Sequence, residues 1–142
     1  MLFDGTDGAI ELRCIEDKKD GTAKPAWFTL EKLLPNLDKL NENAQEAGMA
    51  VYFGVLPRGR GGGKKEHTLK GRVAWTDLDF KDVHEEDAWS KILAFEPSPN
   101  IIVHSGRGLH LYWLLDLLVA PETLEDCSRK VAFALGADHC HD

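Results

Sequence analysis

Two aspartates, Asp77 and Asp79, stand one residue apart in the stretch "AWTDLDFKDV". The apolar neighbours predict a strand, and because side chains alternate across a sheet, both carboxylates would share one face. Like charges on one face repel, and burying either without a partner is costly. An edge strand with solvated acids is one interpretation. The other is a pair that holds one or two divalent cations, as in sites for phosphoryl transfer.

The stretch "HSGRGLHLYW" offers groups of a different kind. Its glycines flank Arg107 and permit a tight turn between two strands, with the backbone close to a ligand. Ser105, Arg107 and His110 would then present a hydroxyl, a guanidinium and an imidazole near one spot. Such donors suit a triphosphate. Taken alone, the stretch also fits a plain β-turn with a polar tip.

A basic run, "PRGRGGGKKEHTLKGR", stands out in a chain whose net charge is -7. The pattern is not a Walker-type phosphate loop, because Lys64 is followed by Lys65 where a Ser or Thr is needed. The glycines predict a flexible loop or hairpin connection that contacts nucleic-acid phosphates, with a solvated loop as the alternative. Its basic residues are Arg58, Arg60, Lys64, Lys65, Lys70 and Arg72.

Composition limits the class of protein. The chain has 142 residues, 43% hydrophobic and 29% charged, which is typical of one globular domain. No apolar run approaches the ~20 residues that span a bilayer, and the N-terminus does not resemble a signal peptide. Three scattered cysteines argue against a secreted disulfide scaffold and favour a reduced, cytoplasmic protein.

Periodicity predicts the elements that must position these groups. We expect strands over residues 8–16, 49–57, 72–80, 100–106 and 108–116, and helices over 27–48, 85–94 and 120–138. Residues 17–25 are expected to form a polar turn. Because of Pro35, residues 27–48 are as consistent with two short helices as with one long helix. Thr29 is a candidate N-cap. The apolar stripe of that segment would be Leu33, Leu37 and Leu40. The predicted class is α+β with a largely antiparallel sheet.

The two motifs together resemble those of the archaeo-eukaryotic primases. "AWTDLDFK" is similar to their first motif, hydrophobic-Asp-hydrophobic-Asp on a strand, and "HSGRGLHLYW" to their second, Ser-x-x-x-x-His on the following hairpin. The similarity is greatest to primase-polymerases of phages, plasmids and mobile elements. "ELRCI", "VYFGVLPR" and "ALGAD" extend the resemblance over nearly the whole chain. Family members continue through an Arg-Leu-Pro-Gly-like stretch that is absent here, so we expect a C-terminally truncated domain.

The resemblance implies a catalytic core in which an N-terminal α/β unit, residues 1–56, packs on a module like an RNA-recognition fold, residues 57–142. It implies a template-directed nucleotidyl transferase, a DNA primase or primase-polymerase, that uses Mg²⁺ or Mn²⁺. Its partners would be single-stranded DNA template, primer, NTP or dNTP, and a replicative helicase domain or protein. The setting would be the cytoplasm of a bacterial, archaeal or phage-infected cell.

Residue roles carried over by position fall into three groups. Asp77, Asp79 and Asp138 would be the metal ligands and, with His110, the catalytic residues, with Asp142 the rival for the third carboxylate. The nucleotide contacts would be Ser105, Gly106, Arg107 and His110. The nucleic-acid contacts would be Arg58, Arg60, Lys64, Lys65 and Arg72.

Three alternatives remain open from the residues. A replication-initiator nuclease would need a His-hydrophobe-His pair, for which "HCH" at 139–141 is the candidate, and a nucleophilic tyrosine, whereas Tyr52 and Tyr112 fit core or hairpin positions. The same "DHCHD" run contains three residue types that bind zinc, but adjacent residues of a strand point in opposite directions, so such a run rarely supplies more than two ligands. A non-catalytic RNA-recognition-like module should show stacked aromatics where this chain has paired acids.

Overall fold

The fold is known from a computed structural model, which describes residues 2–16, 23–59 and 68–137. The elements are β1 Ile10–Glu16, β2 Ala23–Phe28, α1 Leu30–Glu46, β3 Met49–Phe53, β4 Gly71–Asp79, α2 Glu85–Ala94, β5 Ile101–His104, β6 Gly108–Val119 and α3 Pro121–Ala134. They form two three-stranded sheets, ordered β2-β1-β3 and β4-β6-β5. The mixed α/β class with small antiparallel sheets agrees with the sequence prediction.

Contacts divide the chain into a first unit of residues 3–71 and a second unit that contains Leu2 and the described residues from Arg72 onward. The boundary expected after residue 56 from the family resemblance stays a prediction. None of the helices within the described residues has the length and apolar character to cross a membrane.

In the first unit, β1 is the central strand and pairs antiparallel with both β2 and β3. Ile10 and Leu12 point to one face and pack with Leu33 of α1 in a small core. Because side chains alternate along a strand, Glu11 and Arg13 point to the opposite face. Glu11 and Arg13 therefore lie on the side of the first sheet that does not pack on α1.

Strand β2 is a correction to the sequence analysis, which predicted a polar turn up to Pro25 and a helix from Trp27. Residues Ala23–Phe28 instead pair with β1, and the helix begins at Leu30. The proline is tolerated because β2 lies at the edge of its sheet, where one row of backbone N–H groups needs no partner strand. Proline alone was therefore a poor signal for a turn.

Helix α1 is continuous through Pro35, which resolves the choice between one helix and two. The proline lies near the N-terminal end on an exposed side, so a single backbone hydrogen bond is lost. Leu33 and Ala44 are buried and Leu40 packs on the core, but Leu37 is 41% exposed, so its place in the predicted stripe was wrong. Leu37 lies about 40° around the helix from Leu33, at the rim of the packed face.

In the second unit, β6 lies between β4 and β5, and the helices cover one face of the sheet. Helix α3 has Pro121 in its first turn and ends before Gly136, whose φ is 73°. Alternation along β4 and β6 leaves Asp77, Asp79 and His110 on the face opposite the core. The buried core residues are Ala74, Leu78, Val83, Ala88, Ile92, Leu109, Leu111, Trp113 and Leu135.

Candidate functional site

Strands β4 and β6 run antiparallel. At one end the Phe80 N–H donates to the Arg107 carbonyl at 2.9 Å, and towards the other end Arg72 Nε donates to the Leu115 carbonyl at 3.1 Å. The residue numbers rise along one strand as they fall along the other, and the backbone bond from Phe80 to Arg107 sets the register. The two sequence motifs therefore lie on adjacent strands.

That register sets Asp77 of β4 opposite His110 of β6, and Asp79 opposite Gly108. On the other side of β6, His110 is paired with Val103 of β5. The electrostatic effect of His110 on the Asp77 carboxyl agrees with this placement. The two carboxylates and the imidazole thus share one face of one sheet, as the alternation in the sequence predicted.

Gly108 allows the two strands to come unusually close. A Cβ on this residue would stand 2.3 Å from the Leu78 carbonyl oxygen and 3.2 Å from Asp79 Cα. Separations under 3.0 Å do not occur for real Cβ atoms, so no other residue fits without movement of the backbone. The sequence predicted a turn residue at Gly108. In the structure this glycine permits the close approach of β4 and β6 beside Asp79.

Asp79 ends β4 with an exposed side chain held by its own turn. The Lys81 N–H donates to Asp79 Oδ1 at 2.9 Å, and Lys81 Nζ lies 3.5 Å from Oδ2. The backbone hydrogen bond from Lys81 is the main reason that the pKa of Asp79 is lowered, and the positive charges of Lys81 and Arg107 lower it further. Asp79 is therefore a fixed, ionised oxygen donor.

Asp77 has the opposite character. Its side chain keeps a surface open to solvent, yet the protein around it removes enough water to raise its pKa. The charge of Asp79 raises that pKa further, while His110 opposes the shift. Burial, and then the charge of Asp77, raises the pKa of Tyr112 to about 12. Asp77 and Asp79 thus place negative charge on this face, and a bound cation would stabilise it.

A stability prediction follows from the raised pKa of Asp77. Stability falls as pH rises from the ordinary value of 3.8 through the folded value, because the folded state holds the proton more tightly. Asp77→Asn should therefore raise the melting temperature at neutral pH, without metal, and the gain should vanish at low pH. Its partial exposure limits the gain to about 1 kcal/mol, or about 2–4 °C. Thermal melts in a chelating buffer measure this.

Asp126→Asn is the matched control for this measurement. Asp126 lies 2.8 Å from Lys130, and that hydrogen-bonded ion pair lowers its pKa. The sign is therefore reversed: the carboxylate stabilises the folded state at neutral pH, and its loss should lower the melting temperature slightly. If Asp77→Asn lowers the melting temperature at neutral pH, as Asp126→Asn should, the raised pKa of Asp77 is contradicted.

The turn between β5 and β6 is closed by Ser105. Its N–H and its hydroxyl both donate to the Gly108 carbonyl, at 3.0 and 3.1 Å. Gly106 has φ 91°, in the region that favours glycine, and the Arg107 side chain is exposed. The Ser105 hydroxyl is therefore used within the turn, and Arg107 is the charged group that the turn presents to solvent.

His104 was missed by the sequence analysis, although it begins the second motif. Its Nε2 lies 2.8 Å from Glu85 Oε1, and its Nδ1 accepts the Gly106 N–H at 3.1 Å. Because Nδ1 is an acceptor, the proton of the neutral ring is on Nε2 and faces the Glu85 carboxylate. This pair ties the turn to the first residue of α2. Glu85 lies 19 residues away in sequence, so no local pattern revealed it.

The predicted nucleic-acid contacts fall in different parts of the chain. Arg58 belongs to the first unit, whereas Arg72 belongs to the second and uses its Nε on the backbone of β6. Several predicted positions lie outside the described residues: Arg60, Lys64, Lys65, Asp138, Asp142 and the "HCH" run at 139–141. Their roles stay predictions.

The donors on the sheet face fit a hard divalent cation in type, because they are two carboxylates on one side of the sheet. Within the described ranges, no three His, Cys, Asp or Glu side chains converge as a complete metal site. A third ligand, which the family resemblance places at Asp138 or Asp142, would lie outside those ranges. The fit thus rests on Asp77 and Asp79.

Comparison with known proteins gives one informative match. The structure is similar to that of the AEP domain of the primase-polymerase (PrimPol) of cyanophage S-2L, with a TM-score of 0.65 and 15% sequence identity, over 94% of this chain and 68% of that one. No protein-family model matches the sequence, and no curated protein does. At this identity the similarity shows the fold alone: the chain has a fold like that of an archaeo-eukaryotic primase domain.

Proposed function

We propose that this chain is the catalytic core of a primase-polymerase, a template-directed nucleotidyl transferase. One observation carries the proposal: Asp77 and Asp79 lie on the same sheet face as His110, in a fold similar to a primase-polymerase domain. The second unit would then correspond to the family's module like an RNA-recognition fold. Nucleoside triphosphates and single-stranded DNA would be the substrates, and a replicative helicase domain a further partner.

Asp77 and Asp79 would hold Mg²⁺ or Mn²⁺, together with Asp138 or its rival Asp142. When bound, the cations lower the pKa of an attacking 3′-hydroxyl and neutralise charge on the triphosphate. The two described carboxylates have distinct environments, since the pKa of Asp79 is lowered and that of Asp77 is raised. Asp79 would therefore bind a cation over the wider pH range.

The turn would bind the triphosphate. Arg107 is exposed at its tip, and His110 faces Asp77 across the strand pair, so cationic and neutral donors surround the place where phosphate oxygens would lie. Ser105 and Gly106 would shape this turn and offer backbone groups. The positive residues Arg58, Arg60, Lys64, Lys65 and Arg72 would contact template or primer phosphates.

The binding-only alternative is less favoured because of the charge on this face. A module that only binds nucleic acid needs aromatic and basic groups there, whereas Asp77 and Asp79 would repel phosphates in the absence of cations. The nuclease alternative is also less favoured, because Tyr112, one of its two candidate nucleophiles, is 6% exposed.

Incorporation of labelled nucleotides is the test of this proposal. With primed and unprimed single-stranded DNA template and Mn²⁺, we expect labelled product from primed template at least, and complete loss of product when EDTA removes the metal. The 142-residue chain contains both candidates for the third carboxylate, Asp138 and Asp142, so it can be tested as it is. No product from this chain with Mg²⁺ or Mn²⁺ would contradict the proposal.

A further inference from the structure

The open face of the first sheet carries an exposed tyrosine beside an arginine. Arg13, on the central strand β1, is paired with Tyr52 of β3 on one side and with Pro25 of β2 on the other. Tyr52 is 52% exposed, and the side chain of Arg13 is 46% exposed. The sequence analysis had placed Tyr52 in the core or in a hairpin, which was wrong for its side chain.

Beside this pair lies a carboxylate that is almost completely buried. Glu11 is 1% exposed, and its Oε1 accepts a hydrogen bond from Arg13 Nε at 2.6 Å. Its Oε2 is buried and has no hydrogen-bond partner within the described part of the chain. A buried carboxylate with one unsatisfied oxygen is expensive, which indicates that the surrounding positive charge is important here.

A second arginine supplies that charge. A Cβ on Gly54 would stand 3.6 Å from Glu11 Cβ and 3.8 Å from both Nε and Nη2 of Arg58, so the Arg58 guanidinium lies over the glycine on the Glu11 face. Glu11 and Arg58 interact electrostatically. Two guanidinium groups therefore lie close to one buried carboxylate, one joined to it by a hydrogen bond and one by electrostatic attraction.

The backbone of Arg58 is fixed as well. Its N–H and carbonyl both bond to Ala9, at 2.8 and 2.9 Å, and it forms a β-bridge with Thr68. Arg58 is also the first basic residue of the run that continues to Arg72. The backbone that carries the Arg58 guanidinium is therefore held in place on both sides.

We propose that Glu11, Arg13, Tyr52 and Arg58, here called the Tyr52 strip, bind single-stranded nucleic acid. A base would stack on the Tyr52 ring, and the neighbouring phosphates would bind Arg13 and Arg58, the combination that sequence-independent binding surfaces use. Glu11 is a positioning residue that orients the Arg13 guanidinium through its hydrogen bond and attracts the Arg58 guanidinium electrostatically. This inference rests on the proposed function for its biological setting, but the strip belongs to the first unit and the carboxylate pair to the second.

Binding of a fluorescent single-stranded oligonucleotide, measured by anisotropy at several salt concentrations, tests the strip. Tyr52→Ala should weaken binding by about 5-fold to 100-fold through loss of stacking, with the salt dependence unchanged. Arg13→Gln should weaken binding and reduce the slope of log K against log salt by about one. Tyr52 is exposed, so Tyr52→Ala should keep the fold. Arg13→Gln removes the hydrogen-bond donor of buried Glu11, so its binding is compared with wild type only if circular dichroism shows that it is folded.

Glu11→Gln distinguishes two effects of Glu11 on oligonucleotide binding: its positioning of the arginine side chain and its negative charge. Removal of a negative charge should by itself strengthen binding to DNA, whereas loss of the carboxylate that orients Arg13 should weaken it, by roughly tenfold. Glu42→Gln is the matched control, because Glu42 is exposed on α1 and undergoes the same change of charge. The strip predicts weaker binding for Glu11→Gln than for Glu42→Gln.

The outcomes distinguish this inference from the proposed function. The strip is contradicted if the wild-type chain binds no oligonucleotide at low salt or if Tyr52→Ala and Arg13→Gln bind as wild type does. It is also contradicted if a poly-glutamate peptide of matched charge binds equally well and responds equally to Tyr52→Ala. If the strip variants lose binding in a protein that incorporates no nucleotide, the strip is supported and the polymerase proposal fails.

Discussion

Asp79→Asn and Asp77→Asn should each reduce nucleotide incorporation about a thousandfold or more. Each change replaces a charged oxygen ligand by a neutral amide on a face where the two carboxylates lie side by side. Loss of one ligand from such a site removes on the order of 4 kcal/mol of transition-state stabilisation, which corresponds to a factor of about a thousand. Incorporation rates with Mn²⁺ and with Mg²⁺ measure the effect.

Asp116→Asn provides the control for these variants. Asp116 is exposed on β6 and follows the same alternation as His110, but it lies about 20 Å farther along the strand. The same chemical change at the far end of the same face should leave incorporation close to that of wild type. A protein that keeps full activity as Asp77→Asn or Asp79→Asn does not use these carboxylates for catalysis.

Gly108→Ala should be the most destabilising small substitution in the second unit. The new Cβ would stand 2.3 Å from the Leu78 carbonyl oxygen, which is backbone and cannot rotate away. Relief requires β4 and β6 to separate, which would disturb the hydrogen bonds that place Asp79 beside the turn. We expect a loss of about 2–4 kcal/mol in the free energy of unfolding and a melting temperature lower by about 10 °C.

Gly106→Ala is the control in the same turn. A Cβ at this position has no neighbour within 4 Å, and only its φ of 91° opposes the change. The expected loss is about 1 kcal/mol, because the penalty is confined to backbone conformation. Equal unfolding midpoints in urea for the two alanine variants would show that the close approach at Gly108 has no energetic weight.

The candidate site could be predicted to the extent that its signals were local. The alternation around Asp77 and Asp79 and the glycines around Arg107 each determine a strand or a turn within a few residues, so their common face could be inferred. The link between His104 and Glu85 depends on how α2 packs beside the turn, which no short pattern encodes.

The two errors in predicting the fold also arose from contacts between residues distant in sequence. Pro25 indicated a turn because the edge position of β2 depends on strand pairing that spans the whole unit. Tyr52 was assigned to the core or a hairpin because its strand is apolar, whereas its neighbour across the sheet, Arg13, determines that its face is open. Pairing partners distant in sequence decide which face of a strand is buried, and a single sequence does not reveal them.

The position of bound Mn²⁺ tests the central claim most directly. In a ¹H–¹⁵N spectrum of the labelled chain, Mn²⁺ below stoichiometric concentration broadens the resonances of residues close to where it binds. We predict that broadening is strongest for residues 77–80 and 105–110, and that it disappears in the Asp77→Asn, Asp79→Asn double variant. Broadening centred instead on Asp87 and Ser90, in the cleft beside α2, and unchanged in that variant would contradict the account.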